Sequence, residues 1–347
     1  ILPVTIFSIP AGVLADRVSK RKLIVALKGI EVLLMAGALA LLLVAPADAF
    51  WPVLAILVGM GIQSAFFSPA KYGILPEILP HEKLSRGNGA LELWTFIAII
   101  GGTALGGVIL KHAGASTWLA MVPLLALAVV GFAASFAVPR VAPARAPGQE
   151  GGMVAAWREV RGNRVLWLTV LGATLFWGVA SLLGQNLMVY MKSNLRAPDD
   201  IAGLPLALFG IGVGAGSVLA GRMSIGKVEY GLIPLGSIGM GVLTLVLGIS
   251  APGMAGVCVL MTLMGISSGL IVVPLQAVLQ SQPPANKRGS VIALANIFVF
   301  SGMLAGSLAG TGLAFFAKLS PVGIFLGAAA VTRSEEHTSE LQSRQYL

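Results

Sequence analysis

The sequence predicts an all-α polytopic membrane protein, and three observations predict it. Of 347 residues, 56% are hydrophobic and 11% charged, whereas roughly a quarter are charged in a soluble domain. Eleven apolar segments follow one another, most with the ~17–25 residues that a helix needs to cross the hydrocarbon core. The connections between them alternate in charge, with 16 Lys and Arg in the odd-numbered loops and four in the others. That is the positive-inside pattern, and it places the Arg17–Lys22 loop and the Pro139–Arg164 connection in the cytoplasm. The net charge of +9 thus reports topology, and no nucleic-acid partner is expected. The 44 glycines suit helices whose backbones approach closely in lipid.

In order, the segments are Ile1–Ala15, Leu23–Val44, Phe50–Phe67, Asn88–Leu110, Trp118–Val138, Val165–Met191, Ile201–Gly221, Tyr230–Ile249, Met254–Gln280, Val291–Ala317 and Pro321–Val331. The longest polar connection contains Pro139, Pro143, Pro147 and Gly148, which marks it as the internal boundary. It divides a bundle at 1–138 from a bundle at 165–331, with a cytoplasmic linker at 139–164. Pro321–Val331 supplies only ~16 Å of helix, about half a bilayer. The polar stretch 332–347 then has no membrane logic and resembles translated sequencing-adapter read-through. It is expected to be non-native, so His337 and Glu340 are not read as a site.

The chain repeats itself. Gly12-Val-Leu-Ala-Asp-Arg-Val-Ser-Lys20 is echoed by Ser217-Val-Leu-Ala-Gly-Arg-Met-Ser224, which reaches Lys227 after a short insertion. Pro69 maps to Pro274 at the same offset, and Arg86-Gly-Asn88 resembles Arg288-Gly-Ser290 at a slightly smaller one. Parallel repeats about an axis along the membrane normal are a transporter pattern. Val165–Met191 has no counterpart in the first repeat. The expectation is six plus six helices, with the first missing here and the last truncated.

Two stretches carry the chemistry. The first, Gly12-x-x-x-Asp16-Arg17-x-x-Lys20-Arg21-Lys22, lies in the first cytoplasmic loop. Gly12 permits close helix contact. Asp16 suits the positive end of a helix N-terminus across the interface between the repeats, while the basic run would face anionic lipid. Gating and plain topology are both open readings of it. The second stretch, Gly61–Glu77, closes an apolar span with Pro69 and sets Lys71, Tyr72 and Glu77 beyond it. One reading is a helix end at the headgroups with Lys71 snorkelling; the other is a substrate or gating element. The matching break at Pro274 keeps the proline but has no lysine, tyrosine or glutamate. That contrast makes the proline architectural, shared by both repeats at a helix end, and favours function for the other three.

The first stretch resembles the loop between helices two and three of the major facilitator superfamily, although Ser19 stands where that family usually has glycine. The second copy has Gly221 in place of the acid, so a charged latch would be asymmetric and rely on Asp16 and Arg17. Phe66-Phe-Ser-Pro-Ala-Lys-Tyr-Gly-Ile-Leu-Pro-Glu77, Asn88-Gly-x-x-Glu92 and Gly101-Gly-Thr-Ala-Leu-Gly-Gly107 resemble the lysophospholipid transporter branch of the superfamily. So do Leu175-Phe-Trp-Gly178 and Lys227-Val-Glu-Tyr-Gly-Leu-Ile-Pro-Leu-Gly-Ser-Ile-Gly239. The resemblance implies the major facilitator fold in a multi-pass protein of the bacterial inner membrane. It also implies alternating access and a lysophospholipid substrate. The branch includes transporter domains fused to acyltransferase and acyl-ligase domains, which are therefore expected partners in cis or in trans. Other readings are an exporter of another amphipathic molecule and a membrane domain that serves a fused acyltransferase without transporting. Stand-alone carriers have an arginine a few residues after the Phe-Trp-Gly signature, where this chain has Gly184-Gln185-Asn186.

Further polar residues stand inside apolar segments. Lys28 and Glu31, three apart, share a helix face. Glu31 lies ~16 Å along its helix, where an unpaired charge costs roughly 2.5–3.5 kcal/mol. A paired structural role and a coupling-proton site are both open. Glu92 reads as an acid about one turn into its helix, answering the helix dipole or pairing with Lys71. Trp177, Gln185, Asn186 and Gln276 fall on the seventh and tenth helices of the intact count, which line the cavity in the superfamily. They are expected either to bond between helices or to face a headgroup.

The chain has no His-x4-Asp acyltransferase motif and no phosphate-binding Gly-x4-Gly-Lys-[Ser/Thr] loop, so neither an enzyme nor an ATP-driven pump is expected. Its single cysteine, Cys258, leaves no intrachain disulfide or cysteine metal cluster, and no cofactor or metal is expected.

Overall fold

The computed structural model describes residues 2–44, 50–113, 117–146, 149, 151–224 and 228–329. Lys227 of the repeat, Pro147 and Gly148 of the linker, and the tail 332–347 lie outside them. The regular structure of the described residues is helical. The helices are α1 (Leu2–Arg17), α2 (Lys20–Val44), α3 (Phe50–Gly73), α4 (Leu75–Ile78), α5 (Leu84–Ala113), α6 (Met121–Ser135), α7 (Met153–Gly162), α8 (Arg164–Ser193), α9 (Asp199–Ala202), α10 (Leu204–Met223), α11 (Leu232–Ser250), α12 (Met254–Ser281) and α13 (Arg288–Phe315). Residues 321–329 are also helical. Nine segments among the described residues are long and apolar enough to cross a membrane. Large apolar side chains such as Leu33, Trp94, Val130 and Leu308 are exposed, a surface suited to lipid rather than water.

The helix ends correct several expectations. Pro69 and Pro274 do not close their helices: α3 runs on to Gly73 and α12 to Ser281, with each proline inside. A proline removes one backbone donor, but close neighbours make that tolerable in a membrane helix. Lys71 and Tyr72 therefore occupy the last turn of α3, and Glu77 the short α4. α5 begins at Leu84, four residues before the expected start, so Glu92 is two turns in and is not a first-turn acid. The linker is not wholly irregular, because α7 forms within it. The α8 start is fixed locally, since Asn163 Oδ1 accepts from the amides of Val165 and Leu166 at 3.0 and 3.3 Å, as an N-cap does.

The chain forms two compact units. One comprises Ile1–Ile78, Gly101–Val160 and Pro283–Ile297; the other comprises Leu79–Ile100, Arg161–Gln282 and Phe298–Leu347. α5 and α13 are thus each divided between the units. In the first unit α3 packs on α1 and α2, and α2 packs on α6, around Ala15, Leu23, Leu27, Ala70 and Ile74. In the second, α10 and α11 pack on α12, and Phe176, Leu187, Tyr190, Met264 and Phe325 share a core. The α10–α12 crossing depends on glycine. A Cβ on Gly212 would meet Gly265 Cα at 3.0 Å, and one on Gly265 would meet Gly212 Cα at 2.9 Å. Backbones so close gain packing that lipid cannot supply.

Candidate functional site

A polar cluster of the first unit lies where α1 ends and α13 begins. Gly12 and Gly289 let the backbones meet: a Cβ on Gly12 would lie 2.9 Å from Gly289 O, and one on Gly289 3.0 Å from Gly12 O. One turn after Gly12, Asp16 is fully buried. Its Oδ1 accepts from the Gly289 amide at 2.6 Å, and its Oδ2 accepts from the Ser290 amide at 3.0 Å and the Ser290 hydroxyl at 2.6 Å. The carboxylate acts as a cap supplied from another helix. It satisfies donors that an α-helix start leaves unpaired and faces the positive end of the dipole.

Lys20 adds the second element. It was expected to face lipid with the basic run, yet it is wholly buried and ion-paired to Glu77. Its stem crosses Gly73, where a Cβ would stand 3.0 Å from Lys20 Cε. Two residues predicted from separate motifs, Lys20 and Glu77, are therefore one pair. The charges of Glu77 and Asp16 also act on Arg288, so two acids and two bases balance at this end of α13. Arg17 is exposed, unlike Asp16. Arg21 donates to Phe136 O at 3.0 Å. Further along α13, Asn296 Nδ2 donates to Ser68 Oγ at 2.8 Å, beside Pro69.

Deeper in the same unit, Lys28 Nζ lies 2.7 Å from Glu31 Oε2 and 5.1 Å from the Phe67 ring centroid. Gln63 Nε2 donates to the same Glu31 oxygen at 3.2 Å and to Leu27 O at 3.3 Å. Gln63 was missed in the sequence, although an amide inside an apolar span was the available signal. Lys71 Nζ is 5.1 Å from the centroid of the adjacent Tyr72 ring. Lys71 belongs to the first unit and the buried Glu92 to the second.

In the second unit, Gln185 donates to Ser307 Oγ, and Asn186 Nδ2 donates to Pro321 O at 2.8 Å. Both border a cleft of about 300 Å³ with Thr311, Phe315 and Ile324. The cleft is polar at Gln185, Asn186 and Thr311 and otherwise lined mainly by apolar side chains. Trp177 packs partly buried against the core, edge-on to Phe176, and Gln276 is half-buried on α12. No group of His, Cys, Asp or Glu that would hold a metal occurs among the described residues.

The equivalent of the Asp16 crossing lies between α10 and α5. Here Gly221 takes the acid's place, and a Cβ on it would stand 3.1 Å from Arg86 Cα and 3.3 Å from Ser85 O. Nearby, the buried amides of Asn88 and Gln280 bond reciprocally. Asn88 Nδ2 donates to Gln280 Oε1 at 2.9 Å, and Gln280 Nε2 donates to Asn88 Oδ1 at 2.8 Å. Gln280 was not singled out in the sequence, because nothing there brings it to a residue 192 positions away.

The family comparisons agree with this architecture. The sequence pattern of the Major Facilitator Superfamily matches residues 1–307. This chain belongs to the Major Facilitator Superfamily of multi-pass membrane transporters, with the all-α fold of that superfamily. Within it, the chain is 30% identical over 257 residues to the lysophospholipid transporter LplT of Escherichia coli O1:K1, covering 71% of this chain and 62% of that protein. It thus spans less than two thirds of that relative. The human organic anion transporter MFSD10 (TETRAN) has a similar fold, at TM-score 0.80 and 15% identity over 97% of this chain and 83% of that one. The transporter FucP in its outward conformation gives 0.76 at 14% identity, over 97% and 86%.

Proposed function

We propose that this chain carries lysophospholipid across the bacterial inner membrane by alternating access of two helix bundles. The observation that carries the mechanism is the Asp16 contact, in which three hydrogen bonds join the end of α1, in the first repeat, to the start of α13, in the second. They form one lock that must release for the repeats to rock about a midplane cavity. The pair of buried Lys20 with half-buried Glu77 supports the same lock from α2 and α4. The substrate is inferred from the LplT relative and from the amphipathic cleft at Gln185 and Asn186. Lys71 meets the phosphate as a point charge.

The test is movement of fluorescent lysophosphatidylethanolamine in proteoliposomes of phosphatidylethanolamine and phosphatidylglycerol. Lys71→Ala and Glu92→Gln are each expected to slow it by about tenfold. Unchanged rates in both variants would remove these residues from the mechanism. Transport of another amphipathic molecule but not of any lysophospholipid would overturn the substrate.

A further inference from the structure

Asn88 and Gln280 are both fully buried, and each amide gives one hydrogen bond to the other and accepts one back. Asn88 Nδ2 also donates to Leu84 O at 3.0 Å, which fixes its rotamer within α5. The pair joins the start of α5, in the first repeat, to the last turn of α12, in the second. It lies on α5 beside the crossing where the repeat pattern puts a glycine instead of an acid. At that crossing a Cβ on Gly221 would stand 3.1 Å from Arg86 Cα and 3.3 Å from Ser85 O, so a side chain there would push the α5 backbone away by a few tenths of an ångström. The hydroxyls of Ser85 and Ser217, buried at the same crossing, make no hydrogen bond among the described residues. Unsatisfied buried donors destabilise the state that contains them, and the two reciprocal amide bonds of Asn88 and Gln280 contribute polar contact that holds it.

We propose that the Asn88–Gln280 clasp is a neutral lock of the second unit, opposite in kind to the Asp16 latch, and that it opens and closes in each transport cycle. This rests on the alternating-access reading given above. A clasp that stays shut would only stabilise the fold. One that cycles must expose the α5–α10 crossing at intervals, because α5 cannot leave α12 while both amide bonds hold.

A buried thiol reports that opening. In full-length protein with Cys258→Ser, Ser85→Cys places a near-isosteric thiol at the crossing, and its rate of reaction with a hydrophilic maleimide follows the open population. Asn88→Leu with Gln280→Leu keeps an apolar contact while deleting the clasp, and it is expected to raise the labelling rate by about tenfold. A short bifunctional thiosulfonate joining Asn88→Cys to Gln280→Cys is expected to block transport until reductant is added. Labelling that stays constant while only the unfolding temperature falls would make the clasp purely structural. Undiminished transport through the cross-link would overturn the proposal outright. The labelling readout needs no substrate, so a wrong lysophospholipid assignment leaves it decisive.

Discussion

The two places where one repeat's helix end meets the other repeat's helix start use opposite chemistry on similar backbone. At α1 and α13, Gly12 and Gly289 bring the chains together and Asp16 fills the gap with a carboxylate bonded to two amides and a hydroxyl. At α10 and α5, Gly221 stands where Asp16 would be, and the backbone of Arg86 closes the space. The holding interaction moves one helix over, to the uncharged Asn88–Gln280 pair. The two crossings therefore share a close backbone approach, while the carboxylate cap belongs to the α1–α13 side.

The comparison breaks most readily at Lys20. Removing one partner of a buried ion pair costs about 3–5 kcal/mol, so Lys20→Met should lower the unfolding free energy in mixed micelles by that order. The double variant Lys20→Met, Glu77→Leu should recover most of the loss, and a double-variant loss equal to the sum of the two single losses would show that the pair is not coupled. Asp16→Ala comes next. Losing a charged acceptor from α13 should cost about 3 kcal/mol, with Asp16→Asn losing less because one acceptor remains. A denaturation midpoint unchanged in both variants would refute the capping role. The smallest effect is expected where the acid is added back. Gly221→Asp forces a side chain against Arg86 and Ser85, which costs about 1–3 kcal/mol as overpacking. A stabilised Gly221→Asp protein would show that the second crossing has room for a cap after all.

Some of this was legible in the residues. Gly12-x-x-x-Asp16 and Arg288-Gly289-Ser290 were visible as motifs, and the helix-dipole argument already matched Asp16 to a helix start. Lys28 and Glu31 were readable as neighbours because three residues along a helix return to the same face. Lys20 with Glu77 was not readable: the two were placed in separate motifs, and their pairing depends on how α2 packs against the end of α3. Likewise, Pro69 and Pro274 read as helix ends because proline disfavours a helix locally, whereas packing around α3 and α12 carries both helices through.

The sequence alone determined the membrane class, the number and order of most long helices, the repeat and the superfamily. These follow from apolar run length, loop charge and local motifs, all of which act over a few residues. Only the tertiary structure decided which polar groups find each other: Lys20 with Glu77, Gln63 with Glu31, and Asn88 with Gln280. Leaving a polar side chain buried without a partner costs about 1–3 kcal/mol, so most of those in apolar spans pair with something. Which partner it is depends on helix crossings set by side-chain volume, including the absent Cβ at Gly12 and Gly221.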